Sequence, residues 1–316
     1  MHIHADVFTA LHTLIKSIHS LVSPLTDPQR AAKTRGLQRY HLREYLDAES
    51  DLTIAATAGD AESQYALGEI FRRREGNTTG SAKKWYELAG AQDHVYSLMR
   101  LGDTDSLAKA LKLARERADI GDSDAMLEMY ELTKDIAWLK KAGVAGNGEA
   151  IYLQALLYEN DRALRPADSN WDSLRDIMLR KSAQAGFPPA MTWLSNQRVR
   201  YRNIPYQQYW LLKRLEHNDL NAVLAYSYAL MHYFDTEQNL DRYNFSYDYI
   251  KGYGLLWLVV DSTREYIRHR EAANLLATLT SRSTPEQIEA GKAFAREWTD
   301  SHPPLCAYPL TYSDLK

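Results

Sequence analysis

The stretch WLKKAGVAGNGEAIYLQALLY, residues 138–158, contains two helical segments joined by a tight Gly-Asn-Gly turn. The first segment ends in Ala142 and Gly143, and the second begins with Glu149 and Ala150. Small side chains on both sides of the turn allow the backbones of the two helices to pack closely. If this joint recurs along the chain, it predicts a stack of helix pairs whose neighbours share one continuous core.

The joint does recur, and three columns of residues follow it through six turns. A residue that tolerates a left-handed backbone stands at every turn, in order Gly59, Asp93, Gly121, Gly146, Gly186 and Asn218. Four residues later comes a small side chain, in order Ser63, Ser97, Ala125, Ala150, Ala190 and Ala222. Eight residues before the second to sixth turns comes a large apolar side chain, in order Trp85, Leu113, Trp138, Met178 and Trp210. A bulky side chain needs a small one opposite, so the columns indicate regularly packed helix pairs.

The repeat AESQYALGEIFRRREGNTTGSAKKWYELAGAQDH, residues 61–94, carries this pattern most completely. It has an Ala-rich helix with Leu-Gly, a Gly-containing loop and a second helix with Trp-Tyr. This order of features resembles the Sel-one-like repeat, a relative of the tetratricopeptide repeat. The resemblance extends over about residues 51–298, and the later copies are degenerate. It implies an all-α fold, a right-handed α-solenoid (superhelix) of antiparallel helix pairs with helical caps at both ends. In that family the repeats are scaffolds for many different partners.

The sequence predicts four regions along the chain. Residues 1–50 form an N-terminal helical cap, with one amphipathic helix over residues 4–22 and a second from Gln29 to Ala48. Residues 51–283 contain about six degenerate repeats. Residues 284–298 form a closing helix with Thr284 as its N-cap and Pro285 at the first helical position. Residues 299–316 form a C-terminal tail.

Composition and charge argue against several classes of protein. Hydrophobic residues make up 45% of the 316, which is too many for a largely disordered chain. The net charge of -3, from 38 basic and 41 acidic residues, provides no overall attraction for nucleic acid or for an anionic membrane. Cys306 is the only cysteine, so no intramolecular disulfide can form. The first residues lack a basic n-region and the longest apolar run, residues 255–260, is too short to span a bilayer, so we expect a soluble cytoplasmic protein.

No catalytic or ligand-binding motif in the sequence outweighs a structural explanation. Ser81 and Lys84 have the Ser-x-x-Lys spacing of some acyl-enzymes, but serine at the start of a helix is a common N-cap. His2 and His4 have no cysteine or acidic cluster beside them, and the Gly-Asn-Gly turn lacks the lysine of a phosphate loop. We therefore expect no enzyme activity, no cofactor and no metal site.

A face of the first helix in each pair is the main candidate for binding. In the family that the chain resembles, this helix lines the concave side, and residues three, six and ten positions after each turn share one face. In the first four repeats this face combines carboxylates with tyrosines and has no basic residue, which predicts an acidic groove with aromatic anchors for a basic protein or peptide. The predicted contact residues are Glu62, Tyr65, Glu69, Tyr96, Asp103, Asp124, Glu131, Glu149 and Tyr152.

The groove hypothesis has an alternative, in which repeat helices simply carry Glu and Asp on a solvated face. The groove hypothesis makes a prediction that separates the two explanations. Reversing Glu69, Asp103 and Glu131 to lysine should abolish partner binding without lowering stability.

A second candidate interface is the loop over residues 235–250. Tyrosine is concentrated between positions 201 and 253, and its ring offers large contact area with a polar tip. In the loop, aromatic residues alternate along the chain: Tyr243, Phe245, Tyr247 and Tyr249. Burial of these rings in the packing of a long insertion is the alternative.

The sequence favours a non-enzymatic protein-binding scaffold or adaptor that uses its concave face and long loops. One alternative is an immunity protein that binds and neutralises a toxin or effector. Another is a nucleic-acid adaptor that uses the arginines at 72–74 and at 198, 200 and 202, but the net acidic charge disfavours it. We expect a monomer or a weak homodimer.

Overall fold

The fold is described from a computed structural model that covers residues 25–78, 80–167, 169–195, 203–233, 243–263 and 269–308. These described residues form sixteen α-helices, one 3-10 turn and no β-strand. They belong to two compact units. The first consists of Tyr45–Gly102 and the residues up to Leu37, and the second consists of Gln38–Glu44 and the chain from Asp103 onward. The all-α fold predicted from the sequence is confirmed.

The helices of the amino-terminal part are α1 (Asp27–His41), α2 (Tyr45–Thr57), α3 (Ala61–Glu75), α4 (Gly80–Ala91) and α5 (Val95–Leu101). The single helix predicted from Gln29 to Ala48 is wrong, because α1 and α2 are separate. Arg43 has a left-handed backbone with φ 66°, and the Glu44 N–H donates to the Arg39 C=O, which closes α1. The predicted helix over residues 4–22 lies outside the described residues.

The second unit continues with eleven helices joined by short connections. They are α6 (Thr104–Asp119), α7 (Ser123–Thr133), α8 (Ile136–Val144), α9 (Gly148–Asn160), α10 (Trp171–Gln184), α11 (Pro188–Ser195), α12 (Ile204–Glu216), α13 (Leu220–Leu230), α14 (Tyr249–Ser262), α15 (His269–Thr280) and α16 (Pro285–Ser301). From α6 to α15 each helix packs on the next along the chain, and within the first unit α2 to α5 do the same. Packing between chain neighbours is the defining feature of an α-solenoid.

The six predicted joints are confirmed by the backbone. All six turn residues have a positive φ, from 49° at Asn218 to 100° at Gly59. The six small residues that follow, from Ser63 to Ala222, are 0% exposed, because each lies where two helices meet. Of the large apolar column, Trp138, Met178 and Trp210 are buried.

The residue after the turn is the N-cap of the next helix at five of the six joints. Its side chain accepts a hydrogen bond from a backbone N–H of the first turn of that helix. These N-caps are Asp60, His94, Asp122, Asn147 and Asp219. Each joint therefore ends one helix and begins the next within three residues.

The carboxyl-terminal region closes the second unit. Thr284 and Gln287 form a capping box at the start of α16, which packs closely on α14. The closest approach is between Gly254 and Gly291, where any Cβ would meet the backbone of the other helix. After α16, Leu305 is buried in the core of the second unit. The division into a cap, repeats, closing helix and tail remains a prediction.

Candidate partner-binding surface

A cleft in the second unit brings together residues from three consecutive joints. It has a volume of about 280 Å³ and is lined by residues 123–124, 146–149 and 185–187. Glycine and alanine at positions 146, 148, 185 and 186 leave this space open, and a Cβ added to Gly146 would meet no atom within 4 Å. We call this space the joint cleft.

Two of the predicted contact residues, Asp124 and Glu149, lie in the joint cleft. Asp124 is exposed, and its Oδ1 accepts a hydrogen bond of 2.8 Å from the Asn147 side-chain amide. The nine described residues of the lining include these two carboxylates and no lysine or arginine. The cleft is therefore an acidic site on the side of the joints where α7 and α9 begin.

A third predicted residue, Tyr152, lies behind the joint cleft. Its ring centroid is 5.3 Å from that of Phe187, which lines the cleft, and both rings pack against the core around Trp210. Tyr152 is half-buried. It packs against Phe187 and is not itself among the lining residues.

The structure contradicts the prediction that Glu69 faces a partner. Glu69 is 0% exposed, and its carboxylate accepts hydrogen bonds from the Tyr86 hydroxyl at 2.7 Å, from Arg100 Nε at 2.6 Å and from Arg72 at 3.0 Å. Burial raises the pKa of Glu69, but the hydrogen bonds and charges of Arg72, Arg100 and Tyr86 outweigh burial and hold it below its usual value. Lysine at this position would disrupt folding, so the predicted charge reversal does not test binding.

Glu131 is a second correction to the predicted groove. It is 5% exposed and pairs with Lys134 at 2.9 Å, one helical turn along the same chain segment. Burial removes it from any surface that a partner could reach. Asp103, the third member of the proposed reversal, is exposed but serves as the N-cap of α6, where it accepts from the Ser106 N–H at 2.9 Å.

The predicted aromatic residues of the first unit form a cluster at the α3–α5 side of that unit. The Tyr65 ring lies 4.8 Å from His94 and 6.3 Å from Tyr96, measured between centroids. Tyr65 and Tyr96 are half-buried, and Glu62 on the same helix face is exposed and pairs with Lys33 at 2.9 Å. Burial lowers the pKa of His94 to about 4, so its imidazole is neutral and acts as an N-cap acceptor.

The predicted aromatic loop is largely part of the core where the structure describes it. Tyr243 is buried, and Phe245 packs edge-on against Tyr226 with centroids 4.9 Å apart. The Tyr249 hydroxyl hydrogen-bonds the Ser283 hydroxyl, which ties α14 to the turn before α16. The interface prediction is therefore wrong for Tyr243, and burial, the alternative, explains it. Tyr247 is 60% exposed and stays a candidate contact, while residues 234–242 lie outside the described residues.

Sequence reasoning missed a recurrent arginine that stabilises the joints. Arg117 lies four residues before the Gly121 turn and pairs with Asp122 just after it, at 2.8 Å, and with Glu128 at 3.0 Å. Arg214 and Asp219 occupy the same two positions at the Asn218 joint and pair at 3.1 Å. The spacing of arginine and aspartate around these two turns is visible in the sequence and could have revealed this pairing.

Other candidate chemistry gains no support from the described part of the chain. Among the described residues no group of three or more His, Cys, Asp or Glu side chains is placed to hold a metal ion. In the same residues no helix is both long and apolar enough to cross a membrane. Burial raises the pKa of the Cys306 thiol to about 11, which makes it a weak nucleophile. His2, His4 and the arginines at 198, 200 and 202 lie outside the described residues.

Two solved structures of Sel-one-like repeat proteins are similar to the chain. The first is c5321, a protective antigen present in uropathogenic Escherichia coli strains and displaying an SLR fold, at a TM-score of 0.45 and 16% identity over 85% of this chain. This chain spans 60% of the length of that antigen. The second is a Sel1 repeat protein from Oxalobacter formigenes, at a TM-score of 0.33 and 18% identity, covering 66% of this chain and 96% of that protein.

No protein-family profile matches the chain, and no curated protein matches it. Both similar structures belong to the repeat class that residues 61–94 resemble. The assignment of the fold rests on the helices and joints themselves, which form an α-solenoid within each unit.

Proposed function

We propose that the protein is a non-catalytic scaffold that binds a protein partner, and that the joint cleft receives a basic segment of that partner. The observation that supports this most is the convergence of Asp124 and Glu149 in one cleft without a lysine or arginine in its lining. Two carboxylates at one site attract a cationic side chain and disfavour an anionic one.

A pair of aromatic rings lies beside these charges. Phe187 lines the joint cleft, and the Tyr152 ring packs against the Phe187 ring. Aromatic side chains beside charged groups are typical of the residues that contribute most to protein interfaces. At about 280 Å³ the cleft lies just below the range of about 300–1,000 Å³ that ligand sites usually have, so its size suits one or two side chains of a short segment.

The experiment is a selection of random twelve-residue peptides displayed on phage, carried out in parallel with three proteins. These are the wild-type chain, Asp124→Lys/Glu149→Lys, and the control Glu289→Lys/Glu297→Lys, which makes the same charge change at exposed positions of α16. We expect the wild type and the control to enrich lysine- and arginine-containing peptides and the cleft variant to lose them. Thermal unfolding by circular dichroism checks that all three are folded.

Two results would contradict the proposal. One is a set of selected peptides with no excess of basic residues over the library. The other is equal binding of the selected basic peptides by the cleft variant and the wild type.

A further inference from the structure

The chain already contains one extended segment that is bound at a helix joint. At the last joint, residue 306 forms a parallel β-bridge with Asp219. The Cys306 N–H donates to the Asn218 C=O at 3.1 Å, and the Leu220 N–H donates to the Cys306 C=O at 2.9 Å. The two neighbours of Asp219 in the joint therefore provide one acceptor and one donor to a strand-like segment.

The N-cap of the joint at Gly146 has nearly the same backbone geometry as the N-cap of the joint at Asn218, although the turn residues differ, with φ 93° at Gly146 and 49° at Asn218. The N-caps have nearly equal dihedral angles, φ -69° and ψ 109° at Asn147 against φ -64° and ψ 119° at Asp219. Asn147 and Asp219 each donate their N–H to the C=O five residues earlier, at 3.0 Å and 3.2 Å. The φ and ψ of an N-cap set the directions of the two peptide groups beside it. The Gly146 C=O and the Gly148 N–H therefore have nearly the same orientation relative to Asn147 as the bridging groups of Asn218 and Leu220 have relative to Asp219.

These two groups belong to residues that line the joint cleft, and neither has a hydrogen-bond partner in the described part of the chain. Among the described residues, no hydrogen bond between helices or loops uses the Gly148 N–H or the Gly146 C=O. The first N–H groups of a helix have no partner within the helix, so Gly148 is free to donate to another chain. All three joint residues, 146–148, line the cleft.

The neighbouring joint cannot do the same. Pro188 occupies the first position of α11, and proline has no N–H to donate. Of the joint before α7, only Ser123 and Asp124 line the cleft. Gly146–Gly148 is therefore the joint of the cleft that has both bridging groups available.

We propose that the joint cleft binds its partner as a short extended segment that forms a parallel β-bridge with Asn147, in the way that residue 306 pairs with Asp219. The segment donates an N–H to the Gly146 C=O and accepts from the Gly148 N–H. Its lysine or arginine side chains lie beside Asp124 and Glu149. This inference rests on the proposed function and adds the conformation of the bound segment. Pairing through the backbone gives affinity, and the two carboxylates select for positive charge.

The first test compares Gly148→Pro with Gly148→Ala. Both substitutions add a Cβ that meets Phe187 and Ser182 at 3.0 Å, but only proline removes the N–H. Proline suits the first position of a helix, and Asn147 already has the extended backbone that a residue before proline adopts. The probe is the fluorescent peptide Lys-Pro-Leu-Lys-Ala-Tyr-Lys, designed on residues 303–308, with Glu-Pro-Leu-Glu-Ala-Tyr-Glu as its control.

We expect the lysine peptide to bind the wild type and Gly148→Ala, and the glutamate peptide to bind neither. The dissociation constant for Gly148→Pro should be at least about tenfold higher than for Gly148→Ala, since the donor is gone and the ring fills its place. Equal affinities of the two variants, or no binding of the lysine peptide to the wild type, would overturn the bridge.

A second measurement needs no substitution and applies even if the proline variant does not fold. In the wild type, amide exchange at Gly148 followed by NMR should slow at least about tenfold on saturation with the lysine peptide. Unchanged exchange at Gly148 together with shifted resonances at Asp124 and Glu149 would overturn the bridge and leave the proposed function standing. Failure of the phage selection would remove the proposed function itself.

Discussion

Three glutamates in the first helices of the pairs are buried, and each forms an ion pair with a cation. Glu69 pairs with Arg100 and Arg72, Glu131 pairs with Lys134, and a third, Glu128, pairs with Arg117. Glu69 and Glu131 each stand ten residues after a turn, and this helical spacing is why the sequence assigned them to a groove. The partner of Glu69 lies 31 residues away, in another helix, and only the packed structure brings the two together. Asp124 and Glu149, in contrast, line the joint cleft, and their role in binding stays a prediction.

Glu128 gives the folded chain a titratable group near neutral pH. Burial raises its pKa to about 7, although the Arg117 guanidinium opposes the shift. In the unfolded chain a glutamate titrates near about 4.3, so between these values the folded state holds the extra proton and stability falls as pH rises. Urea unfolding should show that the loss of stability from about pH 5 to about pH 8 is smaller in Glu128→Gln than in the wild type by about 2 kcal/mol.

The control for Glu128 is Glu116→Gln on the exposed side of α6. This variant should show the same pH dependence as the wild type. Equal pH dependence of Glu128→Gln and the wild type would show that the Glu128 carboxyl is ionised in the folded chain throughout this range.

The helix joint is the element that the sequence predicts best. Its turn residue, N-cap and small buried residue follow one another within a few positions, so local backbone preference and side-chain size are enough to locate it. The break at Arg43 was missed because arginine carries no preference for a left-handed backbone. The pairing of residue 306 with Asp219 was missed because it joins two distant parts of the chain. Asn218, for example, donates to the Pro303 C=O 85 residues away.

Substitutions of Gly121, in the joint before α7, test whether the left-handed backbone explains which residues occupy the turn positions. Gly121 has a φ of 95°, and an added Cβ would meet no atom within 4 Å, so a substitution acts through the backbone alone. Gly121→Ala should lower the free energy of unfolding by about 1–2 kcal/mol. Gly121→Asn should lower it less, because asparagine tolerates this region and occupies it at Asn218. Urea unfolding of the two variants decides the matter, and an asparagine cost equal to that of alanine would contradict the assignment.

At the scale of the whole molecule, the proposed function depends on the surfaces that lie at the helix joints. In the first unit, half-buried Tyr65 and Tyr96 lie beside exposed Glu62. In the second unit, three successive joints leave an acidic cleft beside the packed rings of Phe187 and Tyr152. The sequence supplied Asp124, Glu149 and Tyr152 through the helical spacing of the repeats. It could not supply the cleft, because the space depends on Gly148 and Phe187 meeting across two different joints.

The central claim is that this cleft is where the chain binds a partner. Hydrogen-exchange mass spectrometry of the full chain, with and without the lysine peptide, maps the contact over the whole molecule in one experiment. We predict that protection is greatest in peptides covering residues 123–124, 146–149 and 185–187, and that Asp124→Lys/Glu149→Lys loses it while Glu289→Lys/Glu297→Lys keeps it. Protection confined to other segments, such as residues 243–249, with the three cleft segments unchanged, would contradict the claim.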